Sequence, residues 1–371
     1  MNTEIEAPIA ATGNSSNRRS GLPRLQEAGL LIVILILGLT FTAVGHFHGS
    51  PGQPNPFLNV DNLVNFIATP MCIYAVMAVG QTAVIITGGI DISVGSIFVL
   101  AGLGTAGALQ YMDQDAPAWK VIPLAIGISM GIGMLCGLLN GLLTTSLRMH
   151  PFIVTLGTLS IFRGIANVAN PTNKTLPAGD NVLPDCFSTN LFQRYFLKDL
   201  VGGLGIQLLP MLVMVIVVLL GWFYLQWMVA GREAYAVGGN EEAARFSGLR
   251  VGRIKLWVYI LSGICAGIAG MVSVGRFGSI STQDGTGYEL TVIAAAVVGG
   301  ASLTGGRGTA LGALLGALII RLIESGIYNP LHWNAQYSQI IIGSAIIVAV
   351  AIDRLSEHFR RRRLARIGGA G

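Results

Sequence analysis

Asp91 is the only charged residue between Asn62 and Met112, and it interrupts an apolar run within Gly80-Gln-Thr-Ala-Val-Ile-Ile-Thr-Gly-Gly-Ile-Asp-Ile-Ser-Val-Gly-Ser96. In hydrocarbon an unpaired carboxylate costs about 2.5 kcal/mol or more, so it must either meet water at a bend or find partners. Gly88 and Gly89 admit backbone geometry closed to other residues, and Asp91 or Ser93 can cap the helix that follows. Together with Gly95 they read as a gating or bend element, a tight polar turn between two membrane helices. A simple cap on the second helix is the alternative role for Asp91.

A second cluster runs Gly238-Gly239-Asn240-Glu241-Glu242-Ala243-Ala244-Arg245-Phe246-Ser247-Gly248. Asn240 is a good N-cap, and Glu241 and Glu242 fall in the first turn, where they favour the helix dipole. Ala243, Ala244 and Arg245 are strong helix formers, and Gly248 can close the helix. The spacing predicts a short surface helix, either a docking element or an ordinary connector. Asn65, Gln81, Asn140 and Asn167 are uncharged polar groups in or near apolar runs. They suit interhelical hydrogen bonding or the lining of a pathway for a neutral, hydroxyl-rich solute. Arg163 sits halfway along another apolar run, and Arg321 and Glu324, three apart, can pair on one helix face.

Nothing here makes or breaks covalent bonds. No G-x-x-x-x-G-K-[ST] phosphate loop, His-Glu-x-x-His pair or close cysteine pair occurs. No catalytic residue, metal site or resident cofactor is expected.

The elements that must position these residues are membrane helices. The chain has 371 residues, 52% hydrophobic and 11% charged, far below the quarter that soluble domains carry. Six uncharged runs, Ala28–Gly45, Asn62–Ile90, Val121–Leu147, Leu200–Gly231, Leu256–Gly275 and Ser325–Ile352, reach the roughly 18 residues that mark a span. The alternating short segments of a membrane β-barrel are absent. The net charge of +5 is concentrated beside the spans, with Arg18, Arg19 and Arg24 before the first and Arg354, Arg360, Arg361, Arg362, Arg363 and Arg366 after the last. That placement points to a lipid bilayer rather than nucleic acid, and to both termini in the cytoplasm.

The fold class expected is all-α, a polytopic membrane bundle of about ten transmembrane helices. A disordered tail (1–27) precedes a transmembrane domain (28–353), and a basic tail (354–371) follows. Within the domain, 169–206 reads as a long periplasmic loop and 230–255 as a cytoplasmic one, where five basic residues outweigh three acidic. Span 8, about Leu290–Leu303, looks short. Gly88-Gly89 with Ser93 and Gly95 is echoed by Gly299-Gly300 with Thr304 and Gly306; duplicated halves or chance in Gly-rich helices would both produce this.

Gln81–Ala101, Pro151–Arg163, Gly238–Gly248 with Lys255, and Glu289–Gly312 together resemble the ribose-type sugar permease family of bacterial ABC importers. The resemblance implies an inner-membrane permease, a homo- or heterodimer with a second permease. Its partners would be cytoplasmic ATPase subunits that hold the ATP and Mg, and a periplasmic solute-binding protein. It implies that Gly239–Gly248 is the coupling helix seated in the ATPase, and that the solute is a monosaccharide. Branched-chain amino acids, nucleosides or a furanosyl signalling molecule are alternatives, and an ion-coupled secondary transporter is a further one.

Overall fold

A computed structural model describes residues 22–49, 52–170, 175–179, 181–196, 206–331, 333–334, 336–348 and 351. The tail residues 1–21 and 352–371 lie outside the described residues. Helix α1 (Leu22–His48) starts inside the segment expected to be tail, with Pro23 in its first turn, where a missing N–H costs nothing. The bundle continues with α2 (Thr69–Ile86), α3 (Val94–Leu109), α4 (Ala118–Ser146), α5 (Pro151–Ala169) and α6 (Leu208–Trp227). It is completed by α7 (Val229–Gly239), α8 (Glu241–Phe246), α9 (Val251–Phe277), α10 (Tyr288–Val298), α11 (Ala310–Tyr328) and α12 (Gln336–Val348). Between α5 and α6 lie a π-helical turn, Ser188–Phe192, and a two-stranded antiparallel ribbon pairing Tyr195–Phe196 with Ile206–Gln207.

Among the described residues, seven helical stretches are long and apolar enough to cross a membrane, and α3, α10 and α12 are shorter apolar helices. The chain is an all-α, multi-span membrane protein. The core forms around α2, buried along almost its whole length, and α9, which packs on α2, α3 and α4. α1 is a peripheral helix that turns Leu31, Ile32, Leu35, Ile36 and Leu39 outward while Leu30, Ile34 and Leu37 pack toward α11.

Glycine sets the closest helix contact. On α4, Gly133 and Gly137 repeat at four-residue spacing and face Gly263 and Gly267 of α9. A Cβ on Gly133 would overlap the Gly263 carbonyl, and one on Gly137 would stand 2.9 Å from the Ile260 Cα. Small residues at this spacing let two backbones touch, which is how helices associate without a hydrophobic driving force. Gly137→Leu is therefore expected to cost at least about 1–3 kcal/mol of overpacking and to deplete monodisperse protein in detergent chromatography. Gly131→Leu on the same helix, where an added Cβ meets nothing within 4 Å, is the tolerated control.

A π-helical turn, Asn62–Ala68, leads into α2, and Pro70 follows it. Proline cannot donate to the carbonyl four residues back, so Phe66 is left with a free acceptor. The Arg321 guanidinium takes it, and Arg276 donates to the neighbouring Asn65 carbonyl at 3.2 Å.

Candidate functional site

Asp91 is fully buried and partnered, not exposed at a bend. Its Oδ1 accepts from the Ser93 N–H at 2.9 Å, the Ser93 hydroxyl at 2.7 Å and the Asn140 amide at 3.4 Å. Its Oδ2 accepts from the Ser262 hydroxyl at 3.4 Å. Asn140 also donates to Ser93 Oγ at 2.8 Å and accepts from Thr158 at 2.6 Å. The Gln81 amide, oriented to satisfy both partners, bonds the Asp91 carbonyl and N–H at 3.2 Å each. Five helices thus meet around Asp91, with Ser93, Asn140 and Ser262 on the carboxylate itself, Gln81 on its backbone and Thr158 reaching it through Asn140. Ser262 lies eleven residues into α9, about 16 Å along it, so the cluster is deep in the bundle.

The turn that delivers Asp91 is a helix terminator. Gly88 takes φ +77, its N–H bonds Ile85, and the Gly89 N–H bonds Val84. These are the two hydrogen bonds of a Schellman motif, which needs a left-handed residue just past the helix. α10 ends identically, with Gly300 at φ +96 bonding Val297 and Ala301 bonding Ala296. The echo read in the sequence is therefore real in backbone geometry but displaced by one residue, because Gly88 corresponds to Gly300. Ser93 begins α3 without a side-chain cap; the capping role passes to Asp91, which receives the Ser93 N–H. Gly95 lies beneath Gly285 and Glu289, where an added Cβ would come within 2.6 Å of the Glu289 carboxylate.

The segment expected as one loop, 230–255, holds two helices. α7 buries Gly231, Ala234 and Val237 and carries Gly238 onto the end of α2. There the Ile86 carbonyl accepts from the Gly306 N–H at 2.8 Å, and Tyr235 bonds the Gly308 carbonyl at 2.6 Å. α8 follows as the short helix expected, with Asn240 Oδ1 accepting from the Ala243 N–H at 2.9 Å. Gly248, at φ +84, closes α8 with the same pair of terminator bonds, to Arg245 and Ala244. Glu241 pairs with Lys255 at 2.7 Å and Arg245 at 3.0 Å. The Lys255 hydrogen bond above all holds the Glu241 carboxyl below the usual range. Glu242 and Ala243 are exposed while Ala244 is buried. Phe246, which the sequence reading passed over, is 85% exposed at the end of α8. Beside it a cavity of about 530 Å³ is walled by Arg148, Arg245, Arg250, Arg253 and Lys255 against Glu241.

The polar residues read as pathway candidates separate. Gln81 and Asn140 are buried in the Asp91 cluster; Asn65 bonds Asp61 at 2.7 Å; Asn167 is exposed near the end of α5. Arg163 reaches across to the Thr282 and Asp284 carbonyls at 2.7 and 2.9 Å. Toward the opposite end from α8, the Arg321–Glu324 pair forms as its spacing predicts and borders a cavity of about 470 Å³.

Residues 63–350 match the family described as branched-chain amino acid transport system / permease component. The chain belongs to that permease family. Among its relatives, the ribose import permease protein RbsC of Bacillus subtilis is 38% identical, over 88% of this chain and 91% of that one. The D-allose transport system permease protein AlsC of Escherichia coli is 36% identical, over 82% and 86%. The fructose import permease protein FrcC of Rhizobium meliloti is 36% identical, over 89% and 86%. As a permease the chain has a translocating, non-catalytic role, and the Asp91 segment, α8 and the α10 terminator all lie within the matched region.

Proposed function

We propose that this permease is the translocation subunit of an ATP-driven importer that carries a monosaccharide inward across a bacterial inner membrane. The single observation that carries the reading is α8: a capped helix presenting an exposed aromatic, Phe246, beside a basic cavity. Large aromatics anchored among charged rims are the residues that dominate protein interfaces. A separate ATPase subunit seated on α8 would hold the ATP and Mg and push through α7 onto the backbone of α2. A solute-binding protein would deliver cargo at the other face, and a second permease would complete the assembly. The names of the three relatives favour a sugar over the amino acids in the family description.

The test is reconstitution with the companion ATPase and binding protein. Phe246→Ala is expected to lower ATPase co-purification and ATP-driven sugar uptake about tenfold or more, with the permease still inserted and folded. Uptake that persists in the wild type under an ion gradient, with no ATPase present, would overturn the proposal.

A further inference from the structure

The cavity on the far side of the bundle from α8 has a chemical character of its own. It lies between α2, α10, α11 and α12, and its volume of about 470 Å³ falls within the roughly 300–1,000 Å³ of small-molecule sites. Tyr74 and Tyr288 form an edge-on aromatic pair with centroids 4.9 Å apart in its wall. The Arg321 guanidinium stands 5.8 Å from the Tyr74 ring and pairs with Glu324. Ionisable groups inside a membrane bundle are costly and belong by default to functional sites. Here both charges are present and cancel, while Asn329 and Gln339 add neutral donors and acceptors. The Arg321 Nε is buried without a partner among the described residues.

We infer that this cavity is a solute-holding site of the permease itself, and that it takes a neutral polyhydroxylated molecule such as a pentose or hexose. An aromatic wall offers a flat apolar face for C–H groups, and planar amide and guanidinium groups read vicinal hydroxyls. A free anion or cation would meet no net opposite charge there. The inference rests on the proposed import function but assigns residues that the coupling end does not involve.

Gly343 of α12 lines the cavity, and a Cβ built on it meets nothing within 4 Å. Gly343→Leu therefore adds bulk at the cavity from a position where the first added carbon meets no neighbour. In the reconstituted transporter it is expected to cut ATP-driven uptake about tenfold or more, with an unchanged melting temperature. In the full-length permease in lipid nanodiscs, Gln339→Cys in a Cys186→Ser background gives a reporter thiol at the site. Radiolabelled-grade ribose, fructose and glucose are each tried as probes, with L-leucine as the comparison. Slower maleimide labelling with at least one sugar, abolished by adding Gly343→Leu, is the expected result. Protection by L-leucine alone, protection by nothing, or full uptake by Gly343→Leu would overturn the inference. If wild-type uptake is ATP-driven in that last case, the import function stands and only the cavity assignment falls.

Discussion

Gly238→Ala, one added methyl group, is expected to destabilise the isolated permease and to abolish its ATP-driven uptake. A Cβ there would overlap the Ile86 carbonyl oxygen and stand 2.6 Å from the Gly306 backbone nitrogen. Those two atoms are already hydrogen-bonded to each other at 2.8 Å, so neither backbone can retreat without breaking that bond. Overpacking costs about 1–3 kcal/mol, and the lost hydrogen bond adds about 1 kcal/mol. The position matters because three backbones meet there: the end of α7, the end of α2 and the glycine turn after α10. Side chains that intervene between two elements can absorb a push by changing rotamer; backbones in contact cannot. Gly239→Ala is the internal control, since its Cβ meets nothing within 4 Å and alanine favours helix. Thermal unfolding of the two purified variants separates the outcomes. A Gly238→Ala protein as stable as Gly239→Ala would remove this contact from the account.

What could be read from the sequence was local. The α8 cap needs only Asn240, two glutamates and Gly248 within nine residues, and that signal survives folding intact. Arg321 and Glu324 pair because a helix puts residues three apart together. α7 was not legible: its turns are held by Gly231 and Gly238 lying against other backbones, and glycine in isolation argues against helix. The polar residues show the same limit. That Gln81 and Asn140 are membrane-buried follows from composition, but the group they face is Asp91, forty-nine residues from Asn140. The cavity at the end away from α8 draws on four separate helices, so no window of sequence contains it.

Asp91→Leu is expected to leave the permease unable to accumulate as a folded species, whereas Asp91→Asn keeps most of its stability. Leucine strands the Ser93 N–H and hydroxyl and the Ser262 hydroxyl in the core, and leaves Asn140 only its bonds to Ser93 and Thr158. Each buried donor left unsatisfied costs about 1–3 kcal/mol, and several together exceed the margin most proteins possess. Asparagine retains an oxygen for the two Ser93 donors, and its NH2 can donate to Ser262, whose hydroxyl also accepts. The comparison isolates what the site requires, because every group bonded to the carboxylate is a neutral donor and none is an arginine or lysine. A carboxylate held only by neutral donors serves geometry: it fixes where α3 begins against α4 and α9, five residues beyond the Ile86 carbonyl that meets the Gly306 N–H. Under the proposed coupling, movement applied at Ile86 would arrive where Gln81, Ser93, Asn140, Thr158 and Ser262 are tied together. Melting curves of the two variants in the same detergent decide the matter. If Asp91→Asn unfolds as readily as Asp91→Leu, the negative charge itself holds the cluster together, and its hydrogen-bond account fails.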